Sequence, residues 1–171
     1  MRQRILREGR GLQGLQHRLD PPVAGAIGGL VAGVAYLAAQ VGTAAVLPGT
    51  EALAPLHRLA AMLLGEGAVS TDVHTARGSW GIALLIHFTL AALFGRLVER
   101  AARGRRMAVA VPTGMLVGLA LYAVNFHVIA PSAFPWFDQA PALTTATNHL
   151  LFGGVAAAVS HLLSRNGSDP G

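Results

Sequence analysis

Four long apolar stretches, Val23 to Leu47, Trp80 to Val98, Met107 to Ala130 and Leu143 to Leu163, alternate with polar or arginine-rich segments. Each is close to the ~20 residues that a helix needs to cross a hydrocarbon core, so the pattern predicts four transmembrane spans. Within the runs, small residues recur at every fourth position: Gly25, Gly29 and Gly33; Ala91 and Gly95; Gly114 and Gly118; Gly153 and Ala157. In lipid, burying a large apolar side chain gains nothing over leaving it in acyl chains, and smooth faces let backbones approach for dispersion packing. These stripes therefore predict the contact faces of an all-α, integral membrane four-helix bundle.

The connections carry their own patterns. From Glu51 to Leu64, the residues Leu53, Leu56, Ala60 and Leu63 fall at three- and four-residue steps, which predicts a short helix lying in the interface. Ser70 to Ser79 then reads as a polar connector. The second outer connection is the stretch NFHVIAPSAFPWFDQAP, Asn125 to Pro141. Pro131 and Pro135 predict the end of the third helix, and Phe134, Trp136 and Phe137 suit the headgroup level.

Composition sharpens the class: 53% of residues are hydrophobic and 12% charged, and the mean hydropathy is +0.50, values of a membrane protein. Without cysteine, neither a disulfide framework nor a thiolate metal site is available. All 13 basic residues are arginines, and their placement orients the chain. Five precede the first run, five lie between the last residues of the second run and the start of the third, and one follows the fourth; only Arg58 and Arg77 fall in the long first connection. The positive-inside rule then puts both termini in the cytoplasm: a basic N-terminus over 1–22, a transmembrane domain over 23–164 and a tail over 165–171. A bacterial inner membrane is the expected location and the lipid bilayer the first partner. Arginines used as topology signals argue against a nucleic-acid partner. The first run also exceeds the ~7 to 15 residues of a signal-peptide core, which favours a retained helix.

Internal repetition is a further pattern. Gly25, Gly29, Gly33, Leu37 and Gln40 are matched 85 residues later by Ala110, Gly114, Gly118, Tyr122 and Asn125. His87, Ala91 and Gly95 are matched 62 residues later by His149, Gly153 and Ala157. The fold expected is thus two copies of one helical hairpin, related about an axis along the membrane normal. On this reading Gln40, His87, Asn125 and His149 share one layer, each roughly 8 to 10 Å below the outer end of its helix at ~1.5 Å rise per residue. His127, two residues from Asn125, points about 200° away from it on a regular helix and is excluded from the layer. Thr144, Thr145, Thr147 and Asn148 stand at the mouth of the fourth helix, and no carboxylate lies inside any of the four runs.

A G-x-x-x-G third helix (Gly114, Gly118) leading into an Asn/His segment, the Pro135-Trp136 element, His149 early in the fourth helix and His87 early in the second resemble YagU-like small four-helix bacterial inner-membrane proteins. The likeness covers most of Trp80 to Leu163 and departs in the long first connection. That family has no established biochemical activity, so the resemblance bears on architecture.

Three readings of the layer follow. In the first, the amides and imidazoles hydrogen-bond across helices in a non-enzymatic accessory or scaffold subunit or a small homo-oligomer. In the second, His87 and His149 are the axial ligands of a b-type haem, with Gln40 and Asn125 beside them. In the third, the histidines relay a proton, ion or small solute, against which the apolar lower half of the helices counts. No catalytic residues are assigned, because no Ser-His-Asp order, paired carboxylates or phosphate-binding Gly-rich loop is present, and no metal site is expected.

The orientation is open to a direct test, because a chain with no cysteine accepts single ones cleanly. A membrane-impermeant thiol reagent applied to intact cells should label a cysteine at Ser132 and spare one at Ser168. Labelling of both would overturn the assignment.

Overall fold

The computed structural model describes residues 19–48, 51–69, 73–139 and 142–165. Most of the basic N-terminus and the tail beyond Arg165 therefore lie outside the described residues. The described chain is all-helical: α1 (Pro21–Val46), α2 (Ala54–Leu64), α3 (Val73–Ala102), α4 (Met107–Ala133) and α5 (Ala142–Arg165), with short 3-10 turns at Glu66–Val69 and Pro135–Gln139. Four of these, α1, α3 from Ser79, α4 and α5, are long and apolar enough to cross a membrane. The class this defines is a multi-pass membrane protein.

Local chemistry sets the ends. Pro21 and Pro22 open α1, where missing N–H groups cost nothing, and the Val23 and Ala24 amides donate to the Asp20 carbonyl. Leu47 is extended, as a residue preceding proline must be, and stops the helix. The tight turn from α3 to α4 depends on Gly104 at φ 73°, a left-handed conformation that other residues adopt at a cost.

Two helices run further than the hydropathy pattern implies. α3 begins at Val73, so most of the expected polar connector is helix, extending the span outward by nearly two turns. No proline interrupts Val73 to Ser79, so no missing N–H or ring clash stops the helix there. α4 continues past Pro131 to Ala133, where the sequence predicts a stop. Asn125–Ile129 forms a π-helical turn, with the Ala130 amide donating to the Asn125 carbonyl. A five-residue rung widens the helix and makes room for a ring that would otherwise strike the carbonyl one turn below.

Packing is pairwise along the helices. α1 lies against α3 on one side and α5 on the other, α5 also carries α4, and α3 touches α4 and α5 less extensively. α2 packs onto α3, with Leu56 and Ala60 closing against Ala83. Among the described residues, 13 of the 16 buried apolar residues are alanines, while leucines and valines such as Leu85, Leu116 and Leu162 face outward. That distribution inverts the order of a soluble core, as expected when the surrounding solvent is itself apolar.

The contact faces are so close that a single methyl has no room. A Cβ at Gly29 would overlap the Ala91 carbonyl oxygen, one at Gly95 the backbone of Gly29, one at Gly114 the Gly153 carbonyl, and one at Gly118 the His149 carbonyl. Gly42 and Gly81 have nothing within 4 Å of the same position. Gly29→Ala and Gly118→Ala should therefore each destabilise the protein by ~1 to 3 kcal/mol, through helices forced apart. Gly81→Ala should be neutral or stabilising by ~0.5 to 1 kcal/mol, through helix propensity alone. Thermal unfolding in detergent reads both, and equal behaviour of the three variants would show that the faces are misassigned.

Candidate functional site

The polar residues singled out in the sequence gather at the end of the helices that carries α2 and the Pro135–Gln139 turn. His87 on α3 donates from Nε2 to the Gly33 carbonyl of α1 at 2.8 Å. Gly33 lets α3 approach this closely: a Cβ there would overlap the Ala91 methyl at 2.8 Å, while standing in ordinary contact with Nε2. His149 on α5 sits 2.8 Å by Nδ1 from the Thr145 carbonyl one turn earlier. A carbonyl only accepts, so Nδ1 carries the proton and Nε2 of a neutral ring is the unprotonated nitrogen.

Gln40 and Asn148 join α1 to α5, with Asn148 Nδ2 donating to Gln40 Oε1 at 2.7 Å. The expected layer therefore assembles in part. Gln40, His87 and His149 belong to it, while Asn125 makes no hydrogen bond to any of the three and is half-buried at the start of the π turn. α4 instead presents Tyr122 and Phe126 to His149, at ring-centroid distances of 5.7 Å each, which leaves Asn125 at the flank of that face. His127 is exposed, its ring edge-on to Tyr122 at 5.3 Å.

Tyr36 is the residue that sequence reasoning missed. Its ring touches both imidazoles, at 5.9 Å from His87 and 5.1 Å from His149, and its hydroxyl lies 3.4 Å from His149 Nδ1. The signal was present: Gly29, Gly33, Tyr36 and Gln40 follow the 4-3-4 spacing of one helix face. Asn148 was read as part of the helix mouth and is instead buried in the α1–α5 contact. A row of rings, His87, Tyr36, His149, Tyr122 and His127, thus crosses the molecule from α3 to the exposed edge of α4.

This geometry does not fit a haem between His87 and His149. The nitrogen that would take iron on His87 is bonded to a backbone carbonyl, and Tyr36 packs on both imidazoles where a porphyrin would have to enter.

Beyond the layer, α2 and the Pro135–Gln139 turn hold each other. Trp136 Nε1 donates to the Arg58 carbonyl of α2 at 3.0 Å, and Phe137 lies edge-on to Phe126. His57 of α2 is 2% exposed with neither ring nitrogen hydrogen-bonded, and burial lowers the pKa of the neighbouring Arg58.

At the opposite end, Glu99 is 5% exposed inside the span Ser79–Ala102, so a carboxylate does lie within an apolar helix. Hydropathy placed it one residue beyond the run because its neighbours, Arg96, Arg100 and Arg103, are charged. It accepts two hydrogen bonds from Arg103, from Nε at 2.9 Å and Nη2 at 2.8 Å, and this pairing raises the Arg103 pKa. Compared with family models, with curated proteins and with solved structures, the chain matches none.

The Gln40–Asn148 bond should be measurable as a coupling. A double-mutant cycle on Gln40→Ala and Asn148→Ala should return an interaction of ~0.6 kcal/mol, and at most ~1.7, the range for hydrogen bonds between helices in lipid. The same cycle on Gln40→Ala and Asn125→Ala should return zero, and coupling there instead would restore Asn125 to the layer.

Proposed function

We propose that this chain is a non-enzymatic accessory or scaffold component of a bacterial inner membrane, working as a small homo-oligomer or as a subunit of a larger membrane complex. The observation that carries the reading is the internal satisfaction of the polar layer. His87 is bonded to Gly33 and Gln40 to Asn148 between helices, and His149 to Thr145 within α5, so two of these bonds hold helices in register and the third fixes an imidazole against its own helix. Unpaired polar groups at membrane depth are costly and mark functional sites, whereas paired ones serve packing.

Two finer points belong to the same reading. The helices form a bundle of two repeated hairpins: Gly29 meets Ala91 and Gly95, and at the matched positions Gly114 meets Gly153 and Ala157. Both termini are cytoplasmic, which is supported by Pro21 of α1, the Arg103–Arg106 turn and Ser164 of α5 all lining one cleft. α4 is the span with the least buried surface, and Leu116 on it is 67% exposed, which leaves a face for a second copy or another membrane protein.

The test uses protein purified in mild detergent. His87→Ala and His149→Ala should each lower thermal stability modestly, and their double variant should be non-additive through the shared Tyr36 contact. The wild-type protein should be colourless and run as an oligomer or with a membrane partner. A Soret band lost in either variant would replace this reading with a haem carrier.

A further inference from the structure

Three arginines of the α3–α4 turn, Arg103, Arg105 and Arg106, line a cleft of ≈ 270 Å³ together with Glu99 of α3 and His161 and Ser164 of α5. That volume admits a phosphate or a phosphodiester headgroup. The charges do not cancel. Glu99 neutralises Arg103 alone, and no ion pair engages Arg105 or Arg106 among the described residues. Arg105 is steadied by its Nε, which donates to the Ala101 carbonyl at 3.2 Å, so its terminal amino groups remain for another acceptor. Arg106 immediately precedes the first residue of α4, and Pro21, also on the cleft wall, is the first residue of α1. The first amides of α4 and its positive dipole end add to the same field, whereas α1, opening on Pro21 and Pro22 with the Val23 and Ala24 amides bonded to Asp20, adds its dipole end alone.

We propose that this cleft binds a phosphate-type anion. The chemistry points to that class because guanidinium forks match phosphate oxygens in pairs, where an ammonium would act as a point charge. The anion has two sources, the headgroup of an anionic phospholipid or a soluble phosphate. A basic pocket between helices at the edge of the apolar spans is placed for the first, and exposed leucines such as Leu162 on α5 and Leu97 on α3 continue from the same end as a surface for acyl chains. Glu99 has a defined part in this. By holding Arg103 it withdraws one fork from the cleft, so the carboxylate sets how strongly the anion is held.

The experiment takes the full chain, delipidated in neutral detergent, and measures thermal stabilisation and native-mass retention with phosphatidylglycerol, with phosphatidylcholine, and with sodium phosphate against sodium chloride at equal ionic strength. Phosphatidylglycerol should be retained over phosphatidylcholine, and Arg105→Gln with Arg106→Gln should reduce that retention about tenfold or more, as expected for lost charged hydrogen bonds. Both arginines are exposed, so this variant folds as the wild type does. Glu99→Gln, which frees Arg103, should increase retention. Arg96→Gln with Arg100→Gln removes the same charge outside the cleft and should change nothing. Stabilisation by inorganic phosphate equal to that by phosphatidylglycerol would assign the soluble source. Equal loss in the Arg96/Arg100 variant would show diffuse attraction and overturn the proposal, as would the absence of any preference for phosphatidylglycerol or phosphate.

Discussion

The structure depends on backbone-to-backbone contact between glycine-faced helices. Where α3 crosses α1 and where α4 crosses α5, carbonyl oxygens of one helix lie against the Cα atoms of the next, at Gly29 with Ala91 and at Gly118 with His149. Such closeness maximises dispersion contact in a solvent that offers no hydrophobic drive. It also bears on the polar layer, because α3 lies close enough for His87 to reach the Gly33 carbonyl where Gly33 leaves room for the Ala91 methyl. Stability and the placement of the polar groups therefore have one origin.

The two ends of the molecule resolve their polar groups differently. At the end that carries α2, hydrogen bonds are local or between neighbours, and rings fill the space: Tyr36, Tyr122 and Phe126 surround His149, while Trp136 ties the 3-10 turn after α4 to α2. Aromatic rings suit this level because they offer a wide apolar face and keep polar edges for partners. At the arginine end, charge remains in excess after the one buried carboxylate is satisfied. The first end closes on itself, whereas the second is open to a counter-charge.

The number of apolar helices, the small-residue faces and three of the four layer residues were legible in the sequence, because each is a property of spacing along a single helix. A stripe at every fourth position names a face whatever it meets. Tyr36 stood on the same face as Gly29, Gly33 and Gln40, but what its ring meets depends on α3 and α5 and not on its own helix. Glu99 was legible as a charge but not as a buried one, since burial at a helix end depends on the neighbour, here Gly25 of α1.

What the tertiary structure alone decided is which face meets which. The sequence determined that Gln40, Asn125 and Asn148 were polar groups near the outer ends of their helices, but only the rotation of α4 and α5 about α1 gave Gln40 to Asn148. The π turn at Asn125–Ile129 is a further decision of that kind, since it carries α4 past a proline that hydropathy and local propensity read as a stop. Periodicity is local and sets the character of a helix face. Pairing depends on relative rotation and register, which are settled by how closely the glycine faces of different helices can approach.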